Sequence, residues 1–207
     1  MISANEVKGL LLLGDIPTTD NDDNDSLWEG DLKAMADRIA FECQPCVVLV
    51  PDLSKGRTTT TKRVNADIQS AAAVLRERYG TDTLSVFGMG YGGGRALDSV
   101  FMKSTPSQKA AAAAAGASEN NDGLPPPPPV NPHSCVAWYP TKFDLESFTA
   151  TTTNNKNVED DNPTAVMAVF AGDDILPGAT REVAAILNDV LGKNNAVKDH
   201  LVKVRYF

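Results

Sequence analysis

The sequence has few cysteines, no long apolar run and no excess of basic residues. Three cysteines, a small and odd number, give no disulfide framework, so we expect reduced thiols in a cytoplasmic compartment. The apolar runs at 46–50 and 165–171 are far shorter than the ~20 residues that a membrane-spanning helix needs. No basic segment followed by a long apolar stretch opens the chain, so no secretory signal is expected.

The charge and composition bear on partners and on domain count. A formal net charge of −8 makes a nucleic acid or an anionic membrane an unfavourable partner. Hydrophobic residues make up 42% and charged residues 22% of the chain, which is typical of a globular protein. A chain of this length buries roughly 70% of its unfolded surface. We therefore expect a single domain over residues 1–207.

Short apolar runs alternate with amphipathic stretches along the chain. The run at 46–50 is uniformly apolar, which is typical of a strand buried on both faces. Asn65 is a candidate N-cap for a helix that ends at Gly80. The β–α alternation predicts a three-layer α/β domain with a mainly parallel sheet covered by helices. The predicted strands are 7–13, 46–50, 84–87, 135–139, 165–170 and 202–206. The middle four of these are expected to be neighbouring parallel strands of one sheet.

Helical periodicity predicts the buried face of each helix. Helices are expected at 31–42, after Asn65, over a segment that includes 96–101, and before Gly192. The predicted buried faces are Ile68, Ala72, Leu75 and Tyr79 on the second helix and Val183, Ile186, Leu187, Val190 and Leu191 on the last.

The alternation is interrupted between about 104 and 134. An alanine run at 110–115 is followed by an Asn/Asp/Gly-rich stretch and a proline run at 125–129. Alanine can extend a helix, but the polar stretch stops it, and polyproline is an extended, solvated conformation. This low-complexity, Ala/Pro-rich composition predicts a disordered insertion in the domain.

Two motifs have the residue spacing of a calcium loop or of a redox-active cysteine pair, but neither meets the other requirements of such a site. The acidic run at 20–25 begins like a calcium loop, but Asp25 and Asp31 stand where that loop needs glycine and glutamate. Cys43 and Cys46 have the spacing of a redox pair, yet they lie between a helix end and a strand instead of at a helix start. We interpret Cys46 as a core residue and Cys43 as incidental.

The segment 88–94 is rich in glycine, follows a predicted strand and opens a helix. It contains G-x-G-x-x-G, the fingerprint of dinucleotide-binding domains. That fingerprint requires an acidic residue about 20 positions later, where this chain has lysine and alanine, and it usually falls on the first strand of its domain. A dinucleotide-binding domain is therefore the less favoured interpretation.

The same segment fits a nucleophile elbow, G-x-Nu-x-G, better. This motif is a sharp strand-to-helix turn with glycines two positions before and two after the nucleophile, where neighbouring backbone crowds any side chain. Gly88 and Gly92 occupy the glycine positions, and the nucleophile position is Gly90. Glycine tolerates the strained dihedral angles of such a turn, so the turn is expected to persist without its nucleophile.

The chain resembles the dienelactone hydrolases of the α/β-hydrolase superfamily in five segments that follow in the family's order. These segments are 36–40, 47–53, 86–93, 136–139 and 169–177. The resemblance implies an α/β-hydrolase-like fold, hydrolysis of lactones and carboxylic esters, and no metal or organic cofactor.

The resemblance also assigns roles to residues of this chain. It places the catalytic acid at Asp174, or at Asp173 if the turn is aligned one residue differently. It places the oxyanion-hole donors at the backbone N–H of Tyr91 and at one N–H after the first strand, near Asp15 or Ile16.

The catalytic histidine of the family should follow the last strand, but the sequence given stops at Phe207. Neither His133, beside the proline run, nor His200, before the last strand, fits that place, and we interpret both as surface residues. The sequence therefore predicts either an inactive relative, a pseudoenzyme, or part of a longer chain. The alternative from another class is a non-catalytic module that binds an ester- or lactone-like ligand in the pocket, or a protein partner through the insertion.

Overall fold

The computed structural model describes residues 6–14, 31–53, 60–101, 130–143, 164–171, 181–193 and 197–205. Strands and helices alternate through most of these residues, as the sequence predicts, but no helix is described between the fourth and fifth strands. The elements are β1 Lys8–Leu13, α1 Asp31–Glu42, β2 Cys46–Leu49, α2 Thr61–Tyr79, β3 Thr83–Met89, α3 Tyr91–Phe101, β4 Ser134–Trp138, β5 Thr164–Ala171, α4 Arg181–Gly192 and β6 Val197–Arg205.

The six strands form one sheet in the order β2-β1-β3-β4-β5-β6, and every neighbouring pair is parallel. The predicted α/β class with a parallel sheet is confirmed. We expected β2 and β3 to be neighbours, but β1 lies between them. The chain first builds outward from β1 to β2 and then crosses back to place β3 on the other side of β1. Strand order therefore reverses between β1 and β3.

The core lies on both faces of the central strands. Leu11, Leu12 and Leu13 of β1 have no exposed surface, because strands flank β1 on both sides and helices contact it. Strand β2, in contrast, is only half-buried along its length. The prediction that it is buried on both faces is wrong, because β2 is an edge strand with one neighbour. For the same reason Cys46 is half-buried and not a core residue.

Helix α2 starts earlier than the sequence indicates. Thr60 is its N-cap, with a hydroxyl that accepts a hydrogen bond from the Arg63 N–H at 3.3 Å, and Asn65 lies inside the helix. Gly80 ends the helix as predicted, in the left-handed conformation at φ 62°. Ile68, Ala72 and Leu75 are buried as predicted, but Tyr79 is 45% exposed, because the helix ends there.

Helix α4 buries only part of its predicted face, and Val183 is half-buried. Leu187, Val190 and Leu191 of α4 are buried, whereas Ile186 is 47% exposed and Ala184 takes the inward position. Strand β6 begins at Val197, before the predicted start at 202. His200 therefore lies within β6, whereas the sequence predicts that it precedes the strand.

The predicted insertion lies almost wholly outside the described residues. The end of that range, 130–134, is described and belongs to the domain. Val130 is fully buried, its carbonyl accepts a hydrogen bond from the Arg76 side chain, and Ser134 begins β4. Among the described helices, none is long and apolar enough to cross a membrane.

Candidate functional site

The candidate site lies at the carboxyl ends of β1 and β3. In open parallel sheets, ligands bind in the crevice outside the carboxyl ends of the strands, at the point where strand order reverses. Here that point lies between Gly14, which directly follows β1, and the turn that joins β3 to α3. We call residues 88–94 the Gly90 turn.

The Gly90 turn joins a strand to a helix with no intervening loop. Strand β3 ends at Met89, α3 begins at Tyr91, and Gly90 between them has φ 54°. Positive φ is costly for any residue with a Cβ atom, so glycine at this position removes the strain that a nucleophile would impose. The turn lies where the sequence predicts it.

Backbone atoms crowd the two glycines that flank Gly90. A Cβ atom on Gly88 would overlap the carbonyl group of Gly92, and a Cβ atom on Gly92 would overlap the carbonyl oxygens of Leu13 and Gly14. The start of α3 therefore packs backbone to backbone against the end of β1. This close approach is possible because Gly92 lacks a side chain, and Gly88 in the same way admits the Gly92 carbonyl within the turn.

Strand β4 and the segment that follows it are hydrogen-bonded to the other side of the Gly90 turn. The Gly90 N–H donates to the Trp138 carbonyl at 3.0 Å, and the Thr141 N–H donates to the Gly90 carbonyl at 3.0 Å. A Cβ atom on Gly94 would overlap the Thr141 carbonyl oxygen, and one on Gly93 would lie 3.0 Å from the Trp138 carbonyl oxygen. Three glycines, Gly92, Gly93 and Gly94, thus admit backbone from the ends of the two neighbouring strands.

A buried ion pair on α3 holds the same segment. Arg95 is 2% exposed, and its Nη1 lies 2.7 Å from Oδ2 of Asp98. Its Nη2 donates to the Lys142 carbonyl, and its guanidinium lies 5.3 Å from the centre of the Tyr91 ring. Neither apolar spacing nor the glycine motif indicates this pair in the sequence. Its signal is an arginine and an aspartate at i, i+3 within a helix whose other face is apolar.

Neither histidine lies at the carboxyl ends of the strands, because His133 precedes β4 and His200 lies in the middle of β6. His133 accepts a hydrogen bond at Nδ1 from the Leu84 N–H at 3.2 Å, at the start of β3. His200 pairs with Val166 near the start of β5. About 20 Å of strand separates Leu84 from Gly90. Within the described residues, neither imidazole is placed to act as a base at the Gly90 turn.

The interpretation of His133 as a plain surface residue is wrong. The residue is half-buried, its own N–H donates to the Leu84 carbonyl at 2.7 Å, and its carbonyl accepts from the Ala165 N–H at 3.0 Å. It connects three strands at their amino ends. The sequence could not show this, because the contact joins residues 49 positions apart.

None of the described cysteines supplies a nucleophile to the Gly90 turn. Cys43 and Cys46 lie where α1 runs into β2, at the amino edge of the sheet. Burial, and to a smaller extent the neighbouring Cys43, raises the pKa of the Cys46 thiol. Cys135 is fully enclosed in β4, and this burial raises its pKa strongly. Raised pKa values reduce the thiolate fraction, so both thiols are poor nucleophiles near neutral pH.

The remaining predicted site residues lie outside the described residues. These are the candidate acids Asp173 and Asp174 and the candidate oxyanion positions Asp15 and Ile16. Tyr91, the other oxyanion candidate, is described and is the first residue of α3. The described part of the chain contains no group of three or more His, Cys, Asp or Glu residues that could hold a metal ion.

No protein-family model matches this sequence, and no curated protein matches it either.

Proposed function

We propose that this chain is a dienelactone-hydrolase-like domain that binds a small ester- or lactone-like molecule at the Gly90 turn without hydrolysing it. One observation carries the proposal. The strand-to-helix turn has the positive φ and the crowded flanking glycines of a nucleophile elbow, but the residue at its apex is Gly90, which has no side chain.

The sheet topology supports this assignment of the crevice. The carboxyl ends of parallel strands lie at one edge of the sheet, so Leu13, Met89 and Ala171, the last residues of β1, β3 and β5, share that edge. Ile16 follows β1, Gly90 follows β3, and Asp174 follows β5. An oxyanion donor, a nucleophile position and an acid are the groups that the family resemblance assigns to these three places.

The chemistry that remains favours binding over turnover. Ester hydrolysis through an acyl-enzyme requires a nucleophile and a base that activates it. Removing the nucleophile from a serine hydrolase costs on the order of 10⁶ in turnover, and the remainder comes from binding and the oxyanion hole. The N–H groups in the first turn of α3 still carry the partial positive charge that orients a carbonyl oxygen.

The geometry of the Gly90 turn supports a dinucleotide-binding domain less well than a nucleophile elbow. Its fingerprint uses Gly88, Gly90 and Gly93 and leaves Gly92 without a role. In this fold Gly92 is the residue that lies against the end of β1, with the carbonyl oxygens of Leu13 and Gly14 in the place of a side chain. A nucleophile elbow requires a glycine at that position.

The test is to introduce a thiol at the turn and to measure acylation by 4-nitrophenyl acetate. The helix N-terminus favours a thiolate there, so Gly90→Cys should give a single burst of nitrophenolate, of one equivalent above wild type. No sustained release should follow, because deacylation needs a base and neither described histidine is placed at the turn. Wild type measures the background from the native thiols.

Gly80→Cys is the matched control. Gly80 has φ 62°, similar to the φ 54° of Gly90, but it lies at the end of a helix, where the dipole disfavours a thiolate. Its thiol should react at least about tenfold more slowly than that of Gly90→Cys. Equal rates in two folded variants would contradict the elbow, and steady turnover by wild type would show that a catalytic group lies elsewhere.

Ligand binding is tested separately on the wild-type chain. Titration with dihydrocoumarin, an aryl lactone, should shift the amide resonances of residues 88–94 in a ¹⁵N–¹H correlation spectrum. The amide of Gly80, remote from the crevice, should not shift. Absence of any shift at 88–94 up to the solubility limit of the lactone would overturn the binding proposal.

A further inference from the structure

The described sheet ends in two edge strands of very different length. At one edge β2 has four residues, and at the other β6 has nine. An edge strand presents a row of backbone N–H and C=O groups that a further strand can pair with, and short edges limit this. Among the described strands, none pairs with the outer side of β6.

One face of β6 carries an unusual series of side chains. Side chains alternate between the two faces of a strand, so Asp199, Leu201 and Lys203 share a face. Asp199 and Leu201 are exposed, and Leu201 leaves 43% of its surface in solvent. On the other face, Val202 and Val204 pack against the core. Packing against the core of the same chain therefore does not explain why position 201 is a leucine.

The spacing of these residues is self-complementary. When two copies of one strand pair antiparallel about a two-fold axis, residues at equal distances before and after the centre lie opposite each other. With Leu201 at the centre, Asp199 lies opposite Lys203 of the partner subunit, and this pair occurs twice. A centre on Asp199 or on Lys203 would instead place like charges opposite each other, which is unfavourable.

We propose that β6 pairs antiparallel with β6 of a second copy of this chain, about a two-fold axis at Leu201. The two sheets then continue into one, with a leucine contact at the centre and an Asp199–Lys203 ion pair on each side. The pairing uses the segment 199–203, which follows the irregular register between Val197 and Asp199. The alternative role of edge charges, to keep strands apart, is the other outcome of the test.

Pairing centred on Leu201 predicts different effects of charge reversal at Lys203 and at Arg205, whereas a nonspecific charge effect predicts the same effect at both. Arg205 lies beyond the paired segment 199–203 in this arrangement, so its side chain has no acidic residue opposite it. In the register centred on Val202, by contrast, Arg205 would pair with Asp199 and Lys203 would face Leu201. Reversal of charge at Lys203 and at Arg205 therefore distinguishes the two registers.

The experiment is sedimentation velocity of the full chain between about 5 and 500 µM, the range in which a small strand-edge interface associates. Wild type should form dimers at the upper end. Asp199→Lys and Lys203→Asp should each raise the dissociation constant at least about tenfold, because each places two like-charge pairs in the interface. The double variant Asp199→Lys/Lys203→Asp should return to within about threefold of wild type.

Asp37→Lys is the control, since it makes the same change of charge at an exposed position on α1. It and Arg205→Asp should leave the dissociation constant within about threefold of wild type. Circular dichroism should show that all variants remain folded. A monomeric wild type throughout the range, or a double swap that fails to restore dimers, would overturn the proposal.

Discussion

Arg95 and Asp98 form an ion pair that the fold encloses, with 2.7 Å between Nη1 and Oδ2 and with 2% of the arginine side chain exposed. The pair lies on the helix that begins at the Gly90 turn. Because Arg95 also donates to the Lys142 carbonyl, the charge connects α3 to the segment after β4. The candidate crevice is thus framed by a buried electrostatic contact as well as by glycine packing.

Arg95→Met should lower the free energy of unfolding by about 3–5 kcal/mol, because it leaves the Asp98 carboxylate enclosed without its cation. The double variant Arg95→Met/Asp98→Leu should be more stable than the single variant, since both charges are then absent. Urea denaturation of the three proteins gives the comparison. A double variant less stable than Arg95→Met would show that Asp98 contributes mainly through other contacts.

Gly88→Ala should cost about 3 kcal/mol or more of unfolding free energy, because its Cβ atom would overlap the Gly92 carbonyl and both partners are backbone. Gly80→Ala should cost only about 1 kcal/mol. It meets no atom within 4 Å and loses only from its φ of 62°. Thermal and urea denaturation of both variants measure the difference. Equal costs would mean that the turn relaxes to admit the methyl group.

His133→Ala should lower the free energy of unfolding by about 1–3 kcal/mol, because the half-buried Leu84 N–H loses its acceptor. His200→Ala should change it by no more than about 0.5 kcal/mol, since His200 is an exposed residue on an edge strand. Two histidines that look alike in the sequence should therefore behave differently. Similar values for both would contradict the structural role assigned to His133.

Cys135 should make stability fall at alkaline pH. Burial raises the folded-state pKa of this thiol far above its ordinary value of 9.0, so above pH 9 the unfolded chain loses a proton that the folded chain keeps. The stabilisation is therefore complete below pH 9 and is lost as the pH rises. Between pH 9 and pH 10 the loss should be about 1 kcal/mol larger for wild type than for Cys135→Ala.

The control for this pH dependence is Val86→Ala. Val86 is as buried as Cys135 but has no proton to lose, so this variant should be less stable than wild type and should keep the wild-type alkaline slope. The measurement is urea denaturation at both pH values. If Cys135→Ala retains the full wild-type slope, burial of this thiol does not contribute to the alkaline loss.

Local periodicity was enough to predict most elements. The helices around Ile68 and Leu187 and the strands of the sheet come from apolar spacing, which depends only on neighbours in the chain. The glycines at 88, 90 and 92 were also readable, because a strand-to-helix turn imposes its backbone requirements within a few residues. The ends of elements were less accurate: Thr60 and Asn65 are both acceptable N-caps, and the sequence does not rank them.

Tertiary structure decided everything that depends on which strands are neighbours. Placement of β1 between β2 and β3 made β2 an edge, so its uniformly apolar run is half-buried. The same crossover put Gly92 against the end of β1. Pairing of β4 with β3 brought His133 to Leu84, and the place of β6 at the end of the strand order left Leu201 on an outer edge. These relationships join residues far apart in the sequence, and their free energies arise from burial and close contact that no local pattern encodes.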